Sequence, residues 1–252
     1  ESKSPTRDSG KFVAMEELID QIDRIRMRIY RRRESMTRLD ATRIAAELKR
    51  LLADCPANWL SLPALHFELA QTYALLGPEY FEDAAKCYRA AIGAEDKAGR
   101  VPIAAIEQLA NIEARLGESR GRPVLVDRAI ERLRDLDKAA GDTVNQPLRK
   151  AAAAGVKTNV ERASLAGAAY KRKAAIYARE IVAGKSAPAA IKQFNDAVRA
   201  SIDAYQAVSC RQADKDFDPY PALNWLALKS LDGGDGASVE VCRRCAELSN
   251  EN

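Results

Sequence analysis

The sequence keeps stopping its own helices. Residues 63–76 (PALHFELAQTYALL) carry apolar side chains at steps of three and four, the spacing of one helical face, and Pro63 suits a first helical turn. Gly77-Pro78 breaks that run, and residues 82–92 (EDAAKCYRAAI) take the helical pattern up again. A connection this short leaves the second helix running back along the first. The same unit returns at residues 103–116, which stop at Gly117, read as a C-terminal cap, and at residues 127–140, which stop at Gly141. A loop is predicted over residues 142–159, then helices over 161–182 and 187–208, with Gly184 between them and Pro188 in a first turn. Residues 213–221 form an Asp- and Pro-containing loop, and two further helices are predicted at 223–231 and 238–248, joined by a turn over 232–236. No alternating strand pattern interrupts this series, so the chain reads as all-α.

The first sixty residues fit the pattern less well. Residues 1–10 are polar and read as a linker or arm. Met15, Leu18, Ile22, Ile25 and Ile29 form one stripe on a helix about two heptads long, too short for a confident coiled coil. It is expected to pack on the rest of the chain; the competing expectation is a homo-oligomer paired through this helix. A second helix is predicted over residues 40–53, ending before Cys55-Pro56 because a residue preceding proline is disfavoured in a helix. The expected organisation is therefore an arm over 1–10, capping helices over 11–60 and a helical-repeat domain over 61–252.

Composition decides between partner classes. Lys and Arg number 40 against 36 Asp and Glu, a formal charge of +4. That is near balance for 252 residues, and nucleic-acid binding wants a clustered basic surface. Only the run of Arg24, Arg26, Arg28, Arg31, Arg32 and Arg33 offers one, and as a face beside an apolar seam it reads as solvated. The five cysteines form no secreted disulfide framework, and no signal peptide or membrane-length apolar run is present, so a cytoplasmic chain with no membrane partner is expected. A chain opening at Glu1 is expected to be a fragment or processed product.

Nothing in the sequence assembles catalytic chemistry. The lone His66 excludes His-pair zinc sites within the chain. Cys242 and Cys245 (CRRC) have redox or half-zinc spacing, but no βα junction accompanies them, and Cys210 is the one plausible added thiol. Gly233-Gly234-Asp235-Gly236 lacks the lysine and strand of a phosphate loop. No enzyme activity and no cofactor are expected.

The helix pairs resemble tetratricopeptide (TPR) repeats. Leu69, Ala70, Tyr73 and then Ala84, Tyr88, Ala91 match a first unit. Leu109, Ala110, then Ala129, Leu133, Leu136 match a second, with Glu113 where the family has Tyr. Ala166, Gly167, Tyr170, then Ala190, Phe194, Ala197 match a third. The units are spaced by about 40 and 57 residues where the ordinary repeat has about 34, so an irregular α-solenoid is implied. Residues 161–174 (ERASLAGAAYKRKA) and 218–228 (DPYPALNWLAL) are also similar to the TPR-like regulatory domain of apoptosis signal-regulating kinases, the TRAFs-binding domain. Bacterial relatives of that domain stand beside caspase-like peptidases and other effectors. The resemblance implies a non-catalytic module holding a partner protein or peptide, or a regulatory part of a larger signalling or defence effector.

It also implies a binding face. In TPR proteins the first helices line the concave side. Counting from Ala70, Ala110 and Gly167 places Gln71, Asn111, Arg115, Lys171 and Arg172 there, with Asn224 in PALNW as a further candidate. Arg115, Lys171 and Arg172 would suit an acidic partner motif or a C-terminal carboxylate.

Overall fold

The computed structural model describes residues 9–32, 34–53, 55–56, 58–59, 62–97, 102–143, 152–184, 188–209 and 219–231. The expected arm over residues 1–8, the predicted helix over 238–248, the glycine turn over 232–236, and Cys210, Cys242 and Cys245 lie outside these. Every element among the described residues is helical: α1 (Ser9–Arg31), α2 (Arg38–Ala53), α3 (Pro63–Leu76), α4 (Phe81–Lys97), α5 (Ile103–Ser119), α6 (Pro123–Thr143), α7 (Ala152–Val182), α8 (Pro188–Ser209) and α9 (Pro219–Leu231), with a 3₁₀ turn at Pro78–Tyr80. The fold is an all-α helix-pair repeat. It divides into two compact units, Glu1–Ile112 and Glu113–Asn252, so the division falls inside α5.

In the first unit α1 packs on α3. Leu18, Ile22, Ile25 and Ile29 are all buried, each burial contributing about 1.5–3 kcal/mol. These four residues of the α1 stripe are thus buried within the chain, in line with the expectation that this helix packs on the rest of it. α2 starts at Arg38, two residues before the predicted position, because Thr37 and Asp40 cap each other. The Asp40 backbone N–H donates to Thr37 Oγ1 at 3.2 Å, and the Thr37 N–H donates to Asp40 Oδ2 at 3.1 Å. Two orphan helix-end donors are satisfied in one exchange.

The α3–α4 hairpin follows the TPR packing rule closely. Leu69, Ala70 and Tyr73 on α3, and Ala84, Tyr88 and Ala91 on α4, are all buried. The small residues let the helix backbones approach, and the rings fill the adjacent space. Gly77 turns the chain at φ +118°, a conformation closed to residues with a Cβ.

In the second unit the cap of α5 is Gly121, not Gly117. Gly121 sits at φ +61°, its N–H donates to the Glu118 carbonyl at 3.3 Å, and the Arg122 N–H donates to the Gly117 carbonyl at 2.8 Å. These two bonds close a Schellman motif. Gly117 is needed for a different reason: a Cβ there would lie 2.6 Å from Val126 Cγ2 and 2.9 Å from the Arg122 carbonyl oxygen. Gly141 likewise lies inside α6 rather than ending it. Within the predicted loop over 142–159 the described residues are helical, since α6 runs to Thr143 and α7 begins at Ala152; the alanines of 152–154 favour helix. α9 begins at Pro219, with proline in its first turn, four residues before the predicted start.

α7 and α8 pack through Gly167. Ser201, fully buried on α8, donates from Oγ to the Gly167 carbonyl at 2.7 Å, and the Tyr205 ring lies against the glycine. Tyr205 belongs to a cluster with Ile202, Trp225 and Leu228 that fastens α9 to α8.

Candidate partner-binding surface

The basic residues of α7 are sorted by what lies beneath them. Gly167, Ala168, Ala169, Ala174, Ile176 and Tyr177 are buried and define the inward face. Lys171 and Arg179 are exposed, and Arg172 and Lys173 are half-buried beside them. At about 100° per residue, Lys171, Arg172 and Arg179 fall within about 100° of one another around the helix, while Lys173 turns about 160° away from Lys171.

Two separately predicted residues meet here. Lys171 Nζ donates to Asn224 Oδ1 at 2.6 Å, across from α7 to α9. The Asn224 amide is oriented by its own helix, since Nδ2 donates to the Tyr220 carbonyl at 2.8 Å. The acceptor that Lys171 meets here is thus a neutral amide oxygen rather than a carboxylate.

Arg172 is drawn toward α5. Its Nε lies 3.3 Å from Glu118 Oε2, while Arg179 Nη2 lies 3.1 Å from Glu118 Oε1 and Arg179 Nη1 donates to the Glu118 carbonyl at 2.8 Å. Two guanidiniums share a single carboxylate at the C-terminal end of a helix, where positive charge is favoured. Lys173 pairs with Asp127 Oδ1 on α6 at 2.6 Å. Arg115 is half-buried one turn before Glu118 on α5. Tyr170 stands at the edge of this face, its hydroxyl accepting from Arg134 Nη2 at 3.0 Å.

The other predicted residues lie in the first unit. Gln71 is half-buried on α3, and its Oε1 accepts from Arg26 Nη1 at 2.5 Å, so a residue of α1 already holds it. Asn111 is half-buried on α5 between buried Ala110 and Ile112. The N-terminal arginines are partly committed inside the chain: Arg28 donates to Glu47 at 2.5 Å, and Arg26 pairs with Asp23 at 2.5 Å and with Glu68. Burial alone would lower the Arg26 pKa, but Glu68 and Asp23 together raise it.

Counting by repeat position missed Glu118 and Arg179. Arg179 stands two turns after Arg172, so the same periodicity carried seven residues further would have found it. Glu118 escaped because Gly117 was read as the end of its helix.

A protein-family model, Tetratricopeptide Repeats-Sensor, matches residues 80–229. The chain belongs to the Tetratricopeptide Repeats-Sensor family. TPR domains as a class serve in protein–protein interaction or regulation, and the TPR-S match spans the α4–α9 series that carries the basic face. No curated protein and no solved structure matches the chain. Among the described residues no helix is long and apolar enough to cross a membrane, and no three His, Cys, Asp or Glu side chains group as metal ligands.

Proposed function

We propose that this TPR-S domain is a non-catalytic binding module that holds an acidic segment of a partner protein on the basic face of α7. The observation that carries the reading is the unequal charge count around Glu118. Arg172 and Arg179 share that one carboxylate, and among the described residues the acceptor for Lys171 is the Asn224 amide oxygen. An acidic peptide would replace weak internal pairing with charge-assisted hydrogen bonds, and arginine forks suit carboxylates in particular. Asn224 would turn Lys171 toward the partner, and Arg115 would extend the face along α5. Gln71 and Asn111 are proposed as contacts of the first unit.

Charge reversal tests the assignment. The Arg115→Glu/Lys171→Glu double variant should lose most of its affinity for Asp/Glu-rich peptides while keeping its helical spectrum. Full affinity in that variant would sink the assignment of this face.

The family's name favours a second, compatible reading, in which the domain is the sensing part of a larger signalling or defence effector. Reading the complete gene tests it: a neighbouring effector domain in the same frame supports the reading, and a frame limited to these residues removes it.

A further inference from the structure

Glu118 stands in the last turn of α5, where the helix end is itself negative and a carboxylate is disfavoured. Its charge is answered from α7. Arg172 and Arg179 are seven residues apart, about 20° around the helix axis, so both leave α7 on one side and converge on the same carboxylate. Each oxygen takes one guanidinium: Oε2 lies 3.3 Å from Arg172 Nε, and Oε1 lies 3.1 Å from Arg179 Nη2. Charge-assisted pairs close to about 2.7–2.9 Å when their groups can approach freely. The Glu118 contacts are longer than that, whereas Lys173 meets Asp127 at 2.6 Å.

The two arginines keep their places without that carboxylate. Arg179 Nη1 donates to the Glu118 main-chain carbonyl at 2.8 Å, a bond that does not depend on the side chain. The Arg172 side chain is 22% exposed, so most of its length is packed against the protein. The Glu118 side chain is held less firmly. It is 31% exposed, and its partner Arg179 is 58% exposed. The turn after α5 is closed by main-chain bonds, the Gly121 N–H donating to the Glu118 carbonyl, so the carboxylate can swing out without opening it. Ion pairs this open to water are weak and exchange readily for another carboxylate.

We infer that Glu118 is a built-in stand-in for the partner's carboxylate. With the face empty it holds Arg172 and Arg179 in line, and an Asp or Glu of the bound segment displaces it and takes over both guanidiniums. The inference rests on the acidic-segment reading of this face and adds a regulation to it. Glu118 competes with the partner, so it lowers affinity for every segment and turns away those whose side chains cannot replace a carboxylate. The displaced side chain goes to solvent, which it already meets in the empty state.

The test uses the full chain and an acetylated, amidated hexaglutamate peptide, titrated calorimetrically at neutral pH and low salt. Glu118→Gln removes the competing charge and keeps the length of the side chain. It should bind the peptide about three- to ten-fold more tightly than wild type. Asp127→Asn removes the same charge from α6, where it faces Lys173, and should shift the affinity by less than about two-fold. The gain from Glu118→Gln should vanish in an Arg172→Gln/Arg179→Gln background, because the competition runs through those two guanidiniums. Unchanged or weaker binding by Glu118→Gln overturns the inference. An equal gain from Asp127→Asn, or a gain that persists in the double-arginine background, also overturns it, since either marks a plain effect of net charge. Failure of the face itself is read separately. Affinity lost in Arg115→Glu/Lys171→Glu with no gain in Glu118→Gln removes the stand-in and leaves the face, and no binding to either wild type or Glu118→Gln removes both.

Discussion

The backbone of Gly167 lies so close to Tyr205 that a Cβ on the glycine would fall 2.9 Å from ring atoms Cε2 and Cζ. The contact locks α7 against α8, and through the Tyr205–Trp225 cluster it sets where α9 brings Asn224 to Lys171. Gly167→Ala should therefore destabilise the chain by about 1–3 kcal/mol, the usual cost of overpacking. The cost should shrink in a Tyr205→Leu background, because the ring that clashes is gone. Urea unfolding of the two single variants and the double variant measures this coupling, and simple additivity would show that the contact is not what the glycine serves.

The Thr37–Asp40 exchange makes one contribution to stability depend on pH. Its hydrogen bonds from the Thr37 side chain and backbone hold the Asp40 carboxyl below its ordinary value of 3.8. A carboxyl depressed in the folded state adds stability that is fully present above the unfolded value and is lost as pH falls through the folded one. The stability gap between wild type and Thr37→Val should accordingly be constant near neutral pH and narrow below about pH 4. A gap that widens on acidification would contradict the capping assignment.

Cys87 should be a slow thiol. Burial, with Asp83 adding to it and Lys86 opposing, pushes its pKa from 9.0 to about 11. That leaves roughly a hundred-fold less thiolate than an unperturbed thiol at the same pH. Iodoacetamide labelling followed by mass spectrometry should show Cys87 protected in the folded chain and reactive once unfolded. Equal rates in both states would contradict the burial.

Much of this architecture was legible in spacing alone. The α3–α4 pair was found because its signals agree: Pro63 opens the hairpin, Gly77 turns it, and Ala70, Tyr73, Ala84 and Tyr88 all fall on the packed face. The third repeat was harder to register. Tyr170 matches the motif yet stands at a surface edge beside Arg134, while Tyr205, about two turns further along α8 than the motif extends, fills the space at Gly167. Glycines were misread for a physical reason. A sequence shows that a Cβ is missing but not why, and Gly117 omits it for packing while Gly121 omits it for a positive φ. The same limit hid Glu118, and with it the shared pairing of Arg172 and Arg179. Lys171 and Asn224 were each found on their own helix, but 53 residues apart nothing in the spacing could join them.

The most direct test of the account is a photo-crosslinking amino acid placed at Lys171, on the basic face of α7, and separately at exposed Lys192 on α8. The account predicts that position 171 captures a partner through an Asp/Glu-rich segment, that capture weakens as salt rises, and that position 192 captures nothing comparable. Capture at 192 in place of 171, or capture at 171 that survives both high salt and Arg172→Glu/Arg179→Glu, would contradict it.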